Sequence, residues 1–375
     1  MACSSSNGVS PSADAATPVE AGKDGGGPTD PIPTTALKWV WVPFPGAKCR
    51  DGSTAGILVD ANPASDNLMI YLQGGGSCWN TAECSSNPPA FAAPSGAPSS
   101  TLPVTNSSGL LDRTNPANPV KDWNVVFVPY CTGDLHAGNN PGFDPGIGPQ
   151  QFVGYTNMEK FLARIVPTFP KVKKVLHTGS SAGGYGALFT VDLVEMAFPG
   201  TVDITLIDDS GPSASTSFLP ACVQHEKWTT WGFDKTFLKA CGADCPNPDD
   251  YLIEYPKHVA KTYSTLRYGL IESIADATIR SKWGYTASDC NMNVTQAPAP
   301  MDPTLFQAAL LDFRAQMASL VPDGGTPSFG SCYPQGSQHV WLSNADFYTT
   351  NAGGVNLIDW VSNILMGGAP SDIGP

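Results

Sequence analysis

The chain has 375 residues, with 20 Lys and Arg against 33 Asp and Glu for a net charge of −13, and it carries ten cysteines, 38 glycines and 35 prolines. A 41% hydrophobic content is ample for a core and excludes global disorder. An isoelectric point near 4.6 excludes nucleic acid as a partner, because a polyanion would be repelled, and no apolar run reaches the roughly 18 residues that cross a bilayer. The length fits one large domain or two small ones, and the cysteine count points to an oxidising compartment.

Residues 1–36 are small, polar and rich in Gly, Pro and Ser, and the first aromatic residue is Trp39. Such a stretch buries too little apolar area to offset its ordering entropy and reads as a flexible linker. Met1-Ala2 lacks the basic and apolar regions of a signal peptide. Ala2-Cys3-Ser4-Ser5 nevertheless has the pattern that follows the lipid-attachment cysteine of a bacterial lipoprotein. From there short apolar runs predict strands at 37–44, 55–60, 67–73, 123–130, 172–179 and 202–210, each rich in β-branched or aromatic residues and bounded by turn formers. Their near-continuous apolar character suits burial on both faces. Helical patterns occupy 157–166, 186–198, 301–320 and 355–366. This alternation predicts an α/β fold, a mostly parallel sheet with helices on both faces. The Pro- and Ser-rich stretch 85–109 reads as a surface loop. The segment 212–262, with three cysteines, two tryptophans and no clear period, reads as a cap over the sheet.

The strongest chemical signal is Gly179-Ser180-Ser181-Ala182-Gly183, which fits G-x-S-x-G between a strand-like and a helix-like run. A nucleophile elbow belongs at such a strand-to-helix turn, where the glycines permit close approach and the helix N-terminus faces the developing oxyanion. Gly74-Gly75-Gly76-Ser77 follows an earlier strand and resembles the glycine loop that supplies the other oxyanion donors, so Gly75, Gly76, Ser77 and Ala182 are candidates for that hole. Neither a dinucleotide fingerprint nor a P-loop is present.

The elbow architecture orders its residues serine, acid, histidine. Of the five histidines, His136 and His177 precede Ser181, and His225 and His258 fall in the cap; His339 remains, in a loop ahead of the last helix. The run 266–280 reads as a strand and its loop, with Asp276 near the end and Glu272 as nearest competitor; Asp208 and Asp209 close an earlier strand. Ser181 as nucleophile, His339 as base and Asp276 as the acid that orients the imidazole make a complete set.

Three segments together resemble the pectin acetylesterase and Notum-type carboxylesterases: 71–80 (YLQGGGSCWN), 129–138 (PYCTGDLHAG) and 179–184 (GSSAGG). Asp209-Ser210-Gly211, the Asp276 region and Ser331-Cys332-Tyr333 ahead of His339 add to the likeness. The resemblance implies an α/β-hydrolase fold, the triad Ser181, Asp276 and His339, no cofactor and no metal. It also implies a Cys49–Cys131 disulfide. Two departures stand out: Ser77 replaces the tryptophan usual after the glycine triplet, and the segment holding His136 looks like the bacterial branch. His136 is thereby a candidate for touching substrate or for bracing its loop, and Tyr185 is a second candidate for substrate contact.

Cys78 and Cys84, six apart, are expected to close a small ring, and bridges among Cys222, Cys241, Cys245, Cys290 and Cys332 would hold the lid. A zinc site at Cys241-x3-Cys245 lacks the further ligands it needs. The expected organisation is a linker over 1–36 and a hydrolase domain over 37–375, with its cap at about 212–262. The expected protein is a monomeric serine esterase, secreted or lipid-anchored, acting on O-acetyl or other O-acyl esters of extracellular polysaccharide. Two alternatives remain at this point: a lipase or polyester depolymerase, and a non-catalytic glycan- or lipid-binding surface protein.

Overall fold

The structure is a computed structural model that describes residues 20–21, 27, 29–87, 107–290, 294–321 and 325–375. Most of the expected linker, with Cys3, and most of the expected loop at 85–109 lie outside the described residues. The main sheet is built from β1 (Glu20–Ala21), β2 (Trp39–Lys48), β3 (Thr54–Asp60), β4 (Asn67–Leu72) and β5 (Asn124–Val128). It continues through β6 (Lys174–Ser180), β7 (Asp203–Asp209), β8 (Arg267–Ile271) and β9 (Phe329–Cys332). Its order among the described residues is β1-β2-β3-β5-β4-β6-β7-β8-β9. Only the β2–β3 and β3–β5 pairs are antiparallel; β5, β4, β6, β7, β8 and β9 run parallel. The parallel register brings the carboxyl ends of β4, β6, β7 and β8 to one edge, with Leu72 beside Gly179 and Asp209 beside both Ser180 and Ile271.

All six strands expected from apolar runs are present, within a few residues at their ends. The central ones are buried on both faces, as in Asn124–Val128, where every residue is buried. The helix expected over 186–198 is two, Ala182–Phe189 and Val191–Ala197. Thr190 breaks it (φ −119°, ψ 9°), its hydroxyl bonded back to the Gly186 carbonyl at 2.7 Å, a local side-chain bond that competes with the helix ladder. His177 is fully buried in β6, 2.9 Å from Thr190 Oγ1, a core residue as its place in the strand predicts.

The segment expected as an irregular cap is helical, with Ala221–Trp231, Phe237–Cys241 and Tyr251–Thr262 as its main pieces. Its period escaped sequence reasoning because the first helix buries Gln224, Lys227 and Thr230 along with Val223 and Trp231, so no apolar stripe marks the inner face. The cap docks through aromatic stacking, with Phe189 parallel to Phe237 at 4.5 Å and Phe233, Tyr251 and Tyr255 around them. Disulfides join Cys49 to Cys131, Cys78 to Cys84, Cys222 to Cys290 and Cys241 to Cys245. The third ties the cap to the segment beyond the Asp276 loop. Among the described residues Cys332 is the unpaired cysteine, its thiol pushed up to about 12 by burial, which leaves it a packing residue with little thiolate. No helix among these residues is long and apolar enough to cross a membrane.

Candidate active site

Ser181 stands between β6 and the helix Ala182–Phe189 with φ 60° and ψ −121°, a backbone region that non-glycine residues seldom enter. Its N–H donates to the Asp209 carbonyl at 2.7 Å. The flanking glycines are fixed by close approach. A Cβ on Gly179 would lie 2.4 Å from the Gly183 carbonyl oxygen, and one on Gly183 would lie 1.9 Å from that of Leu72. A Cβ on Gly74 would lie 2.5 Å from the Ser180 oxygen. Strand, elbow and glycine loop are thus packed backbone against backbone, a contact no larger residue permits.

The loop 74–77 leaves β4 and passes over the elbow. Gly76 takes φ +78°, and the Gly75 carbonyl accepts from Asn87 Nδ2 at 2.8 Å. The N–H groups of Gly75, Gly76, Ser77 and Ala182 have no hydrogen-bond acceptor among the described residues. Behind the loop sits buried Glu83, whose Oε2 takes Lys282 Nζ at 2.7 Å and Ser77 Oγ at 3.3 Å, while Oε1 takes Tyr285 Oη at 3.1 Å.

Asp276 caps the helix Ala277–Lys282, its Oδ1 accepting from Thr278 and Ile279 N–H at 2.7 and 2.8 Å. Its Oδ2 faces His339 Nδ1 at 2.7 Å. A carboxylate only accepts, so the proton belongs on Nδ1 and Nε2 is left as an open acceptor. The acid and histidine loops are zipped by Ile274, Ala275 and Ala277 N–H donating to Pro334, Gly336 and Ser337 carbonyls, and by Ser273 Oγ donating to the Gln338 carbonyl at 2.6 Å. Past His339, Val340 takes φ 63°. Trp341 and Leu342 N–H then donate to the Asp209 carboxylate at 2.9 Å each. Asp209 also accepts from Ser180 Oγ. One residue therefore holds the elbow by its carbonyl and the histidine loop by its side chain.

Two cavities meet at Ser181. A cleft of about 490 Å³ is lined by Ser181, His339, Gly74, Gly75, Gly76, Tyr71, Phe127, Val340 and their neighbours. A recess of about 50 Å³ is lined by Ser181, Gly76, Ser77, Ala182, Tyr185, Lys227, Trp231, Leu252 and Trp283 among others. No hydrogen bond joins Ser181 Oγ to His339 among the described residues; both face the same cleft, and such contacts are often long before substrate binds. The sequence-derived candidates therefore converge, with one exception. His136 lines neither cavity: it is buried behind the glycine loop, with Nε2 2.9 Å from the Gln73 carbonyl and its ring 4.6 Å from that of Tyr130. Burial pushes it down to about 4, so it is a neutral brace for the loop rather than a substrate contact. Tyr185 does reach the recess.

The competing acids are buried differently. Burial, then the neighbouring charge of Asp209, holds the Asp208 carboxyl well above the usual carboxylate range, and burial followed by Asp276 does the same to Glu272. His225 and His258 pair with Asp249 and Asp244 at 2.8 and 2.9 Å in the cap. Sequence reasoning missed Asp209 as the link between the elbow and the histidine loop; its place at a strand end and in the Asp209-Ser210-Gly211 segment were the available signals. It also missed Lys227 and the Glu83–Lys282 pair, which no motif marks. No group of His, Cys, Asp and Glu among the described residues has the geometry of a metal site.

Comparison with known proteins accounts for this layout. The pectinacetylesterase family profile matches residues 35–214, which hold β2 to β7, the glycine loop and the elbow. Over these residues, just under half of the chain, the sequence is similar to this family. Palmitoleoyl-protein carboxylesterase notum2 of Xenopus laevis is 33% identical over 174 residues, 44% of this chain and 34% of the frog protein. The chain thus spans about a third of the curated Notum relatives it matches. Pectin acetylesterase 4 of Arabidopsis thaliana is 24% identical over 294 residues, covering 71% of this chain and 68% of the plant protein. The solved structure of the Wnt deacylase Notum from Drosophila superposes with a TM-score of 0.60 at 18% identity, covering 89% of this chain and 94% of the other. At that identity the likeness shows the fold alone, the α/β-hydrolase fold.

Proposed function

We propose that the chain is a serine carboxylesterase that removes short O-acyl groups, acetyl first among them, from extracellular polysaccharide or related esters. The observation that carries this reading is the 2.7 Å Asp276–His339 pair, which faces the same cleft as Ser181 at its strained elbow. Ester carbonyl carbon would be attacked by Ser181 Oγ as His339 Nε2 takes its proton, and Asp276 would stabilise the imidazolium. The oxyanion would meet the free N–H groups of Gly76, Ser77 and Ala182, with Gly75 shaping the turn. Collapse would expel the alcohol with the proton from His339, and water would repeat the sequence on the acyl-enzyme.

Because Ser77 and Ala182 line the recess, the acyl tail continues into it and the alcohol portion occupies the larger cleft. A recess of about 50 Å³, against about 490 Å³ for the cleft, supports a short acyl group over the long chains a lipase takes. Four disulfides among the described residues support an oxidising, extracellular setting, free or anchored through Cys3. The test is hydrolysis of 4-nitrophenyl esters of increasing acyl length, and of acetylated pectin and xylan, with Ser181→Ala as control. Activity highest on acetate and lost in Ser181→Ala is expected; full activity in the variant, or a rise with chain length, overturns the reading.

A further inference from the structure

The recess beside Ser181 contains a charged group that the hydrolysis of a neutral acetyl ester does not use. Lys227, on the helix Ala221–Trp231, is 8% exposed and lines the recess. Its ammonium lies over the Trp79 ring, 5.6 Å from the centroid, and has neither a hydrogen bond nor an ion pair among the described residues. The neighbouring Glu83 accepts from Lys282, Ser77 and Tyr285 and acts on Lys227 through its charge without a hydrogen bond to it. Lys282 lines the recess as well, and no carboxylate does. Lys227 thus brings an ammonium to this space without a bonded counterion, beside the Glu83–Lys282 pair. A buried cation without a partner is costly to maintain, and burial already pulls the Lys227 amine down to about 8. Trp231, Leu252, Ile279 and Trp283 supply apolar wall, and Ser77, Thr278, Tyr185 and Tyr251 add neutral polar residues, so the lysines are the charged members of the lining.

We propose that the recess is an acyl subsite for short groups that end in a carboxylate, the half-esters of three- and four-carbon dicarboxylic acids such as malonyl and succinyl. The inference rests on the esterase reading and narrows its acyl class. The recess, about 50 Å³, is small beside the cleft and suits one or two methylenes and a carboxylate beyond the ester carbonyl. The carbonyl is held at Gly76, Ser77 and Ala182, so the tail points to Lys227. The chemistry is unchanged: half-ester and water give the diacid and the alcohol.

The test compares ethyl hydrogen succinate with ethyl butyrate, which replaces the terminal carboxylate by methyl, each followed by proton release with the full chain. A wild-type kcat/KM ratio above about ten in favour of the succinate ester is expected, falling to one or below in Lys227→Met and partly restored in Lys227→Arg. A wild-type ratio of one or less overturns the proposal whether or not the variants fold, and so does an unchanged ratio in Lys227→Met. Calorimetric binding of succinate to Ser181→Ala separates the two readings. Hydrolysis of 4-nitrophenyl acetate with a flat ratio sinks the anion subsite alone. No hydrolysis, but succinate binding that Lys227→Met abolishes, sinks the esterase reading alone. Neither hydrolysis nor binding sinks both.

Discussion

Asp209→Asn is the substitution that most directly separates the geometry of this site from its list of parts. The Asp209 carboxylate is buried and receives Trp341 N–H at 2.9 Å on Oδ1, Leu342 N–H at 2.9 Å on Oδ2, and the Ser180 hydroxyl. An amide of the same shape keeps one acceptor oxygen and turns two donors toward the other side. With the NH2 at the Oδ2 position, Leu342 N–H loses its acceptor. With the NH2 at the Oδ1 position, Trp341 N–H keeps a 3.0 Å contact to the remaining oxygen but every bond loses its charge assistance. A buried donor without a partner, or the conversion of charged to neutral bonds, costs about 1–3 kcal/mol. If that cost falls on the placement of the histidine loop, kcat in 4-nitrophenyl acetate hydrolysis drops about 5- to 160-fold while KM changes little, because Asp209 lines neither cavity. Urea denaturation should register a stability loss of the same size. Parental kcat together with a parental denaturation midpoint would refute the argument that Asp209 positions His339.

Gly74→Ala places a Cβ 2.5 Å from the Ser180 oxygen and 2.9 Å from Ser181 Cβ, so the elbow must move and kcat should fall more than tenfold; near-parental turnover would show that the loop can yield. Trp283→Ala opens the wall of the recess and should raise the octanoate-to-acetate activity ratio, at about 0.8 kcal/mol per newly buried methylene; an unchanged ratio places the acyl tail elsewhere. Glu272 has its folded pKa raised, by burial first. Its stabilising contribution is therefore present below the ordinary carboxylate value near 4.3 and is lost as pH rises toward the folded value. Glu272→Gln should flatten the decline of the melting temperature with rising pH, and identical pH profiles for the two proteins would contradict the assignment.

Local pattern alone determined a good deal of this protein. The apolar runs located the central strands, because strands buried on both faces must be apolar along their whole length. The glycines around Ser181 were legible because backbone approach at the elbow tolerates nothing larger, and chain order then pointed to His339 and to a run of candidate acids that included Asp276. Tertiary structure decided what depends on partners distant in sequence. The first cap helix stayed hidden because Lys227 and Gln224 are buried with Val223 and Trp231, which erases the amphipathic period. His136 carried a suggestive motif, yet packing turned it onto the Gln73 carbonyl and away from both cavities. The division of roles among Asp208, Asp209, Glu272 and Asp276 also lay beyond sequence. All four are acids at or just beyond strand ends, and only the loops folded over them determine which one meets the imidazole, which one gathers backbone N–H groups and which two are held well above the usual carboxylate range. The acyl recess was the least legible feature, since its size and charge arise where the glycine loop, the elbow and two cap helices converge.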